Sequence, residues 1–330
     1  MPTHHILFIH GVNVRKHDYA QTLIDRIHQA LNQTSEPIPQ VRFIPLYWSN
    51  IVEGFLAELR QDVEASPQWS HFWFKHFRQD KLLRFSGDAA LYISRHVGSL
   101  AVEQLAQQAL EELQSYQLGD YLHLVTHSWG TVILFDMLFS KRWAVEEALP
   151  GHSAVQEFRD LFFGIGDHPN QGMRLASIHT MGSPIPIFNL IHTVKPESPL
   201  DITTGLKTLL ENTYGPDQKL TWCNFAHPGD PIAWPLEKTV SRLMQTPILE
   251  ITDELVDGSG LLEFFAKQVR HSFWALINGG NAHSSYWRSK KVADRIQHTI
   301  RSTAIQSIIS PQPINPPPVS ITINTAATPA

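Results

Sequence analysis

Cysteine is almost missing from this chain. Among 330 residues only Cys223 is one, so no intrachain disulfide can form and the fold must rest on its core. Long apolar runs are missing too. The densest, Ile6–Ile9 and Val132–Phe139, are short or interrupted, well under the ~18 residues of a membrane span. Positive charge is not in excess: Lys and Arg total 26 against 31 Asp and Glu, a net −5. That balance argues against a dedicated nucleic-acid binder, whose affinity would rest on a basic face. The N-terminal MPTHHILFIHG has neither a cationic n-region nor a long apolar h-region, so a cytoplasmic rather than a secreted protein is expected. Core material is plentiful, with 42% hydrophobic and 17% charged residues, which excludes a disordered chain.

Strand and helix patterns alternate along most of the length. His5–His10 is an apolar run closed by Gly11, as in a buried parallel strand. Tyr19, Leu23, Ile24, Ile27 and Leu31 follow at helical spacing. Val41–Tyr47 reads as the next strand, and Pro45 marks it as an edge or an end. Nothing between Asn50 and Leu118 reads as strand; Ile51–Val63 and Val102–Leu113 carry helical stripes. Tyr121–Thr126 is a strong strand, and Trp129 to about Phe139 is helix-like. Leu175–Met181 and Leu220–Phe225 are further strands, each closed by a Gly/Pro turn. Residues 236–278 read as mostly helical, and Val292–Ile305 as a last helix. These patterns predict an α/β fold with an open, mostly parallel sheet and helices on both faces. The expected organisation is one domain over 1–309, with helical inserts at about 50–118 and 236–278. A Pro-rich tail without a charged residue, 310–330, is expected to be disordered.

Thr126-His127-Ser128-Trp129-Gly130 falls between the best strand and a helix. A serine hydroxyl becomes a nucleophile when it is exposed, aligned with a base and beside donors for the developing oxyanion. A tight strand-to-helix turn lifts the hydroxyl off the sheet and aims the first helical N–H groups at that oxyanion. The motif has Thr126 where G-x-S-x-G has its first glycine, and the larger side chain is expected to crowd the turn. The plainer alternative is a serine that only caps the following helix. His10-Gly11-Val12 ends the first strand and, taken alone, is a turn with a glycine. Asp230, in Pro228-Gly229-Asp230-Pro231, lies just past a strand, where catalytic groups of open α/β sheets collect.

With HGVN, THSWGT, MGSP, GDPI and AHSSYW in this order, the chain resembles a serine α/β-hydrolase of the esterase/lipase type, over roughly Ile6 to Arg301. The first two strands of larger members are missing, so the resemblance implies a shortened α/β-hydrolase fold. It further implies a Ser128, Asp230, His283 triad in the family order. Backbone N–H groups of Val12 and Trp129 would form the oxyanion hole, flanked by His10, Gly11, His127 and Gly130. Asp136 and Asp201 are rivals for the acid, and His271 for the histidine. The implied activity is cleavage of a carboxylic ester, small-molecule or lipid-like, with an apolar acyl group and no metal or organic cofactor. An acyltransferase, thioesterase or amidase would use the same triad, and an inactive hydrolase-like binding module is the non-enzymatic alternative.

Other signals carry less. His123 and His127 lie on a strand, ~13 Å apart, too far to share one metal. Gly164-Ile165-Gly166 runs into Asp167-His168-Pro169, where the proline stops a helix from cradling a phosphate. Trp69–Phe77 packs five aromatic rings into nine residues. Such rings on a helix mostly face a core; the alternative is part of a lid over an acyl pocket. Interfacial membrane contact through either insert is allowed by this pattern and is not predicted.

Overall fold

The computed structural model describes residues 2–33, 37–75, 79, 95–117, 119–140, 142–145, 148–163, 173–186, 205–207, 209–210, 214, 219–256 and 282–309. The Pro-rich tail, Asp201, His271 and Gly164-Ile165-Gly166 all lie outside the described residues.

Among the described residues six strands form one sheet: β1 (Thr3–Ile9), β2 (Gln40–Leu46), β3 (Tyr121–His127), β4 (Arg174–Met181), β5 (Leu220–Ala226) and β6 (Leu249–Leu255). Their order is β2-β1-β3-β4-β5-β6, and every neighbouring pair is parallel. Between them run α1 (Gln21–Asn32), α2 (Ser49–Ala65), α3 (Arg95–Leu113), α4 (Trp129–Phe139), α5 (His152–Phe163), α6 (Glu237–Met244) and α7 (Lys290–Ile309). This is the open parallel α/β architecture that the alternating patterns predict.

Strand alternation divides the core in two. Ile6, Phe8, Val125, Met181 and Phe225 project to one face and meet Leu23 and Ile27 of α1 and Val292, Ile296 and Ile300 of α7. Leu7, Ile9, Leu122 and Leu124 project to the other and meet α3 and α4. α4 is buried from Thr131 to Phe139, apart from the partly buried Val132. That central position explains its lack of a polar face. Each fully buried Phe or Leu in these layers contributes about 1.5–3 kcal/mol.

Three expectations are corrected. Leu249–Leu255 (LEITDEL), inside the stretch read as helical, is β6 at the sheet edge. Only Ile251 of its seven residues is buried, so it lacks the continuous apolar run by which inner parallel strands are recognised. The rings of Phe72, Trp73 and Phe74 are exposed at 47%, 78% and 74%, so they do not pack into a core. The regular helix there is a short 3-10 turn, Pro67–His71, too brief to present one buried face. Finally, β1 begins at Thr3 and ends at Ile9, slightly earlier than the apolar run suggests.

The topology also contains a switch point. From β1 the chain moves outward to β2, then returns to place β3 on the other side of β1. Ligands of open α/β sheets bind at the carboxyl ends of strands flanking such a reversal. The segments that leave there are His10-Gly11-Val12 and His127-Ser128-Trp129.

Among the described residues no helix is long and apolar enough to cross a membrane.

Candidate active site

Ser128 links β3 to α4 with φ 54° and ψ −126°. A side chain rarely adopts a positive φ, and holding it there costs on the order of 1–3 kcal/mol. The turn is fastened at both ends of the residue. Ser128 N–H donates to the Met181 carbonyl at 2.8 Å, and its own carbonyl accepts from Thr131 N–H at 3.1 Å. Gly130 is the position of closest approach: a Cβ there would stand 2.5 Å from the His10 carbonyl oxygen and 2.6 Å from that of Ile9. The first turn of α4 can press on the end of β1 only because residue 130 has no side chain. Thr126, expected to crowd the elbow, instead lies buried with its hydroxyl 2.8 Å from that of Thr131.

The loop after β1 touches the serine directly. A Cβ on Gly11 would fall 2.5 Å from Ser128 Cβ and 3.0 Å from its Oγ. His10 fixes how this loop is presented. Trp48 N–H donates to His10 Nε2 at 3.3 Å, so Nδ1 carries the proton and donates to the Gly11 carbonyl at 2.7 Å. Because the peptide is planar and trans, fixing the Gly11 C=O turns the Val12 N–H the opposite way. The His10 ring lies parallel to Trp48 and beside Tyr19 and Tyr47. Burial pushes its pKa down to about 3 and keeps it neutral. Trp129 is the first residue of α4, where backbone N–H groups point out of the helix end.

Asp230 sits in the loop after β5. Its Oδ1 accepts from Ile232 N–H at 2.9 Å; its Oδ2 accepts from His283 Nδ1–H and from the Tyr286 hydroxyl, each at 2.8 Å. Burial alone would raise this carboxyl, but its hydrogen bonds, His283 foremost, outweigh burial and hold it below the ordinary carboxylate value. The far end of the loop is anchored to the sheet edge. Asn224 on β5 donates to the Trp234 carbonyl and to Asp253 of β6, and Asp253 accepts from the amides of Leu236 and Glu237.

With Nδ1–H given to Asp230, the other nitrogen of a neutral His283 ring carries the lone pair. That nitrogen, Nε2, is buried and makes no hydrogen bond. Two neighbours connect this pair to the serine. The His127 ring, whose residue precedes Ser128, lies 4.6 Å from the His283 ring. Met181-Gly182 does the same from β4. Met181 receives the Ser128 amide, while a Cβ on Gly182 would meet Asp230 Oδ2 at 2.8 Å, Tyr286 at 3.0 Å and His283 Cε1 at 3.3 Å. Ser128, Asp230 and His283 thus gather at one end of the sheet, and Ser128 is not hydrogen-bonded to His283.

Asp136, the rival acid on α4, is committed elsewhere, in a buried ion pair with Arg142. Two residues of the site escaped the sequence reading in their roles. Tyr286 steadies Asp230, and Gly182, at φ 58°, leaves room for the His–Asp pair. Their signals, a Tyr-Trp pair after His283 and a glycine ending a strand, indicate position without function.

Among the described residues no group of three or more His, Cys, Asp or Glu side chains is arranged to hold a metal ion. No protein-family model matches the chain, and no curated protein matches it by sequence. Among solved structures it is similar to the esterase domain of a Rhodothermus marinus protein, with 13% identity over 87% of each chain and a TM-score of 0.27. It is also similar to an uncharacterized protein from Pseudomonas aeruginosa, with 9% identity over 95% of this chain and 52% of that one, and a TM-score of 0.28.

Proposed function

We propose that the protein is a serine hydrolase of the α/β-hydrolase type that cleaves carboxylic esters. One observation carries the reading. A histidine bonded through Nδ1 to a buried carboxylate keeps a buried, unbonded Nε2, and its ring lies 4.6 Å from that of His127, the residue before a serine held at positive φ. A ring oriented by its Asp partner is what a hydroxyl nucleophile requires of its base.

In this reading Ser128 Oγ attacks the ester carbonyl as His283 Nε2 takes its proton. Asp230 keeps the ring in the required tautomer and stabilises the imidazolium, without itself becoming protonated. The amides of Val12 and Trp129 receive the oxyanion of the tetrahedral intermediate; losing one such donor costs about 3–4 kcal/mol of barrier. His283 then protonates the departing alkoxide, leaving an acyl group on Ser128. A water molecule, deprotonated by the same nitrogen, releases the acid.

The test assumes no particular ester. A fluorophosphonate probe should add its mass at Ser128, by peptide mapping, and Ser128→Ala should remove the label without unfolding the protein. Labelling at another residue, or none on a folded sample, would overturn the assignment.

A further inference from the structure

His127 belongs to the last residue of β3 and to the site at once. Its Nε2 lies 2.6 Å from the backbone carbonyl oxygen of His283. A carbonyl only accepts, so Nε2 carries the proton and donates. The other nitrogen, Nδ1, is then the unprotonated one, and it is buried with no hydrogen-bond partner. That pattern suits a neutral ring: a bare lone pair is tolerable in a buried site, whereas a second N–H would be an orphaned donor. Around the ring stand three side chains of one short segment, His283 at 4.6 Å, Tyr286 at 5.8 Å and Trp287 at 5.5 Å between centroids. Burial holds the His127 pKa down at about 3, so the donor persists at neutral pH as a neutral imidazole.

The covalent position completes the picture. Residue 127 is bonded directly to Ser128, and its side chain is bonded to the backbone of His283. A single residue therefore sets the spacing between the strand that carries the serine and the segment that carries the histidine. Asp230 fixes the His283 ring, yet a ring anchored at Nδ1 alone can still pivot if its backbone drifts. A second anchor at the carbonyl removes that freedom.

Resting on the serine-hydrolase reading above, we infer that His127 is a positioning residue: its Nε2–H clamps the His283 carbonyl and holds Nε2 of His283 in reach of Ser128. It touches no reacting atom. The clamp is a donor at a defined reach, and this distinguishes it from ring packing. Glutamine places an amide nitrogen the same number of bonds from the backbone, asparagine falls one bond short, and phenylalanine keeps the ring without the donor.

The experiment measures the second-order rate of fluorophosphonate labelling at Ser128 beside the thermal midpoint of each variant. His127→Phe should label about 10- to 100-fold more slowly, since small misplacements of a catalytic group cost that much. His127→Gln should recover to within about threefold, because it restores the donor. Equal rates for His127→Phe and the parent, or His127→Gln as slow as His127→Phe, would overturn the clamp. If His127→Phe does not fold, His127→Asn takes its place, with slow labelling expected and the parent rate counting against the proposal. Nitrogen-15 NMR of the parent gives a reading independent of reactivity: His127 should be the neutral Nε2–H tautomer across about pH 5–8. An Nδ1–H tautomer would sink the clamp even if Ser128 labels well. A parent that never labels, with the Nε2–H tautomer intact, would sink the hydrolase reading and leave the clamp as a structural bond.

Discussion

Two histidine–aspartate pairs sit at opposite ends of the same sheet. His5 bonds Asp120 at 3.0 Å where β1 and β3 begin, and His283 bonds Asp230 at 2.8 Å beyond the strands' carboxyl ends. Bond length and burial barely separate them; orientation and surroundings do. His5 spends Nε2, the nitrogen at the ring tip, on its carboxylate and leaves Nδ1 beside its own backbone. His283 spends Nδ1 and leaves the tip free to reach outward. Asp120 also accepts the amides of Thr3 and Gln117, so it ties the start of β1 to the turn before β3. Only the pair at the carboxyl end packs against His127, the residue before the strained serine. A His–Asp pair becomes candidate chemistry through its place in the sheet, and the other pair is a structural fastening.

The sharpest way to break that distinction is to neutralise each acid. Asp230→Asn should slow labelling of Ser128 by about 10³–10⁴-fold, through the wrong tautomer of His283. Asp120→Asn should leave labelling unchanged and lower the free energy of unfolding in urea by about 1–3 kcal/mol. An Asp120→Asn protein that loses reactivity would erase the contrast between the two ends.

Acid should act on the whole sheet. His4 is held down to about 4, and His10, His127 and His179 to about 3, in each case by burial first. In the unfolded chain these rings take protons below about pH 6.5, while in the folded state they refuse them until much lower. The unfolded state therefore binds more protons across that window. Stability is full above about pH 6.5 and is lost as pH falls towards 4, by about 1.4 kcal/mol per pH unit for each histidine. Urea denaturation at several pH values checks the slope, and a flat profile from 7 to 4 would contradict the buried, neutral rings. Much of this sensitivity lies away from the reacting groups, in the chain of hydrogen bonds His4–His123–Ser177–His179 that crosses β1, β3 and β4.

A smaller effect belongs to Tyr286. Tyr286→Phe removes one of three donors to Asp230 and should slow labelling by about tenfold, with roughly 1 kcal/mol lost from stability. A rate equal to that of the parent would mean that His283 and Ile232 suffice to hold the carboxylate.

The elements legible in the sequence are those whose signal is local. β3, its turn and α4 can be read from nineteen consecutive residues because strand, glycine and helix follow one another without a gap. The inner strands β4 and β5 are legible for the same reason, and Pro45 correctly marks β2 as an edge. What the sequence hides is contact between distant positions. Nothing near Tyr286 announces its bond to Asp230, and nothing near Gly182 announces the side chains crowding it. His127 is visible only as a neighbour of Ser128, since its partner carbonyl is 156 residues away. The exposure of the rings at 72–74 is hidden from the sequence because composition gives apolarity and says nothing of which way a short turn faces.

The acidic character that disguised β6 as helix has its own consequence. An outermost parallel strand offers a row of unsatisfied amides and carbonyls to any passing extended chain. On β6, Glu250 and Glu254 are charged residues of that strand, and Arg295 and Lys291 pair with Glu254. At the opposite margin Pro45 withholds an amide from β2, and Arg42 is held by Glu112. A second molecule approaching either margin would have to strip charge from water or meet a missing donor before it could add a seventh strand. The same features that blur the sheet's outline in the sequence keep the sheet finite in a concentrated solution.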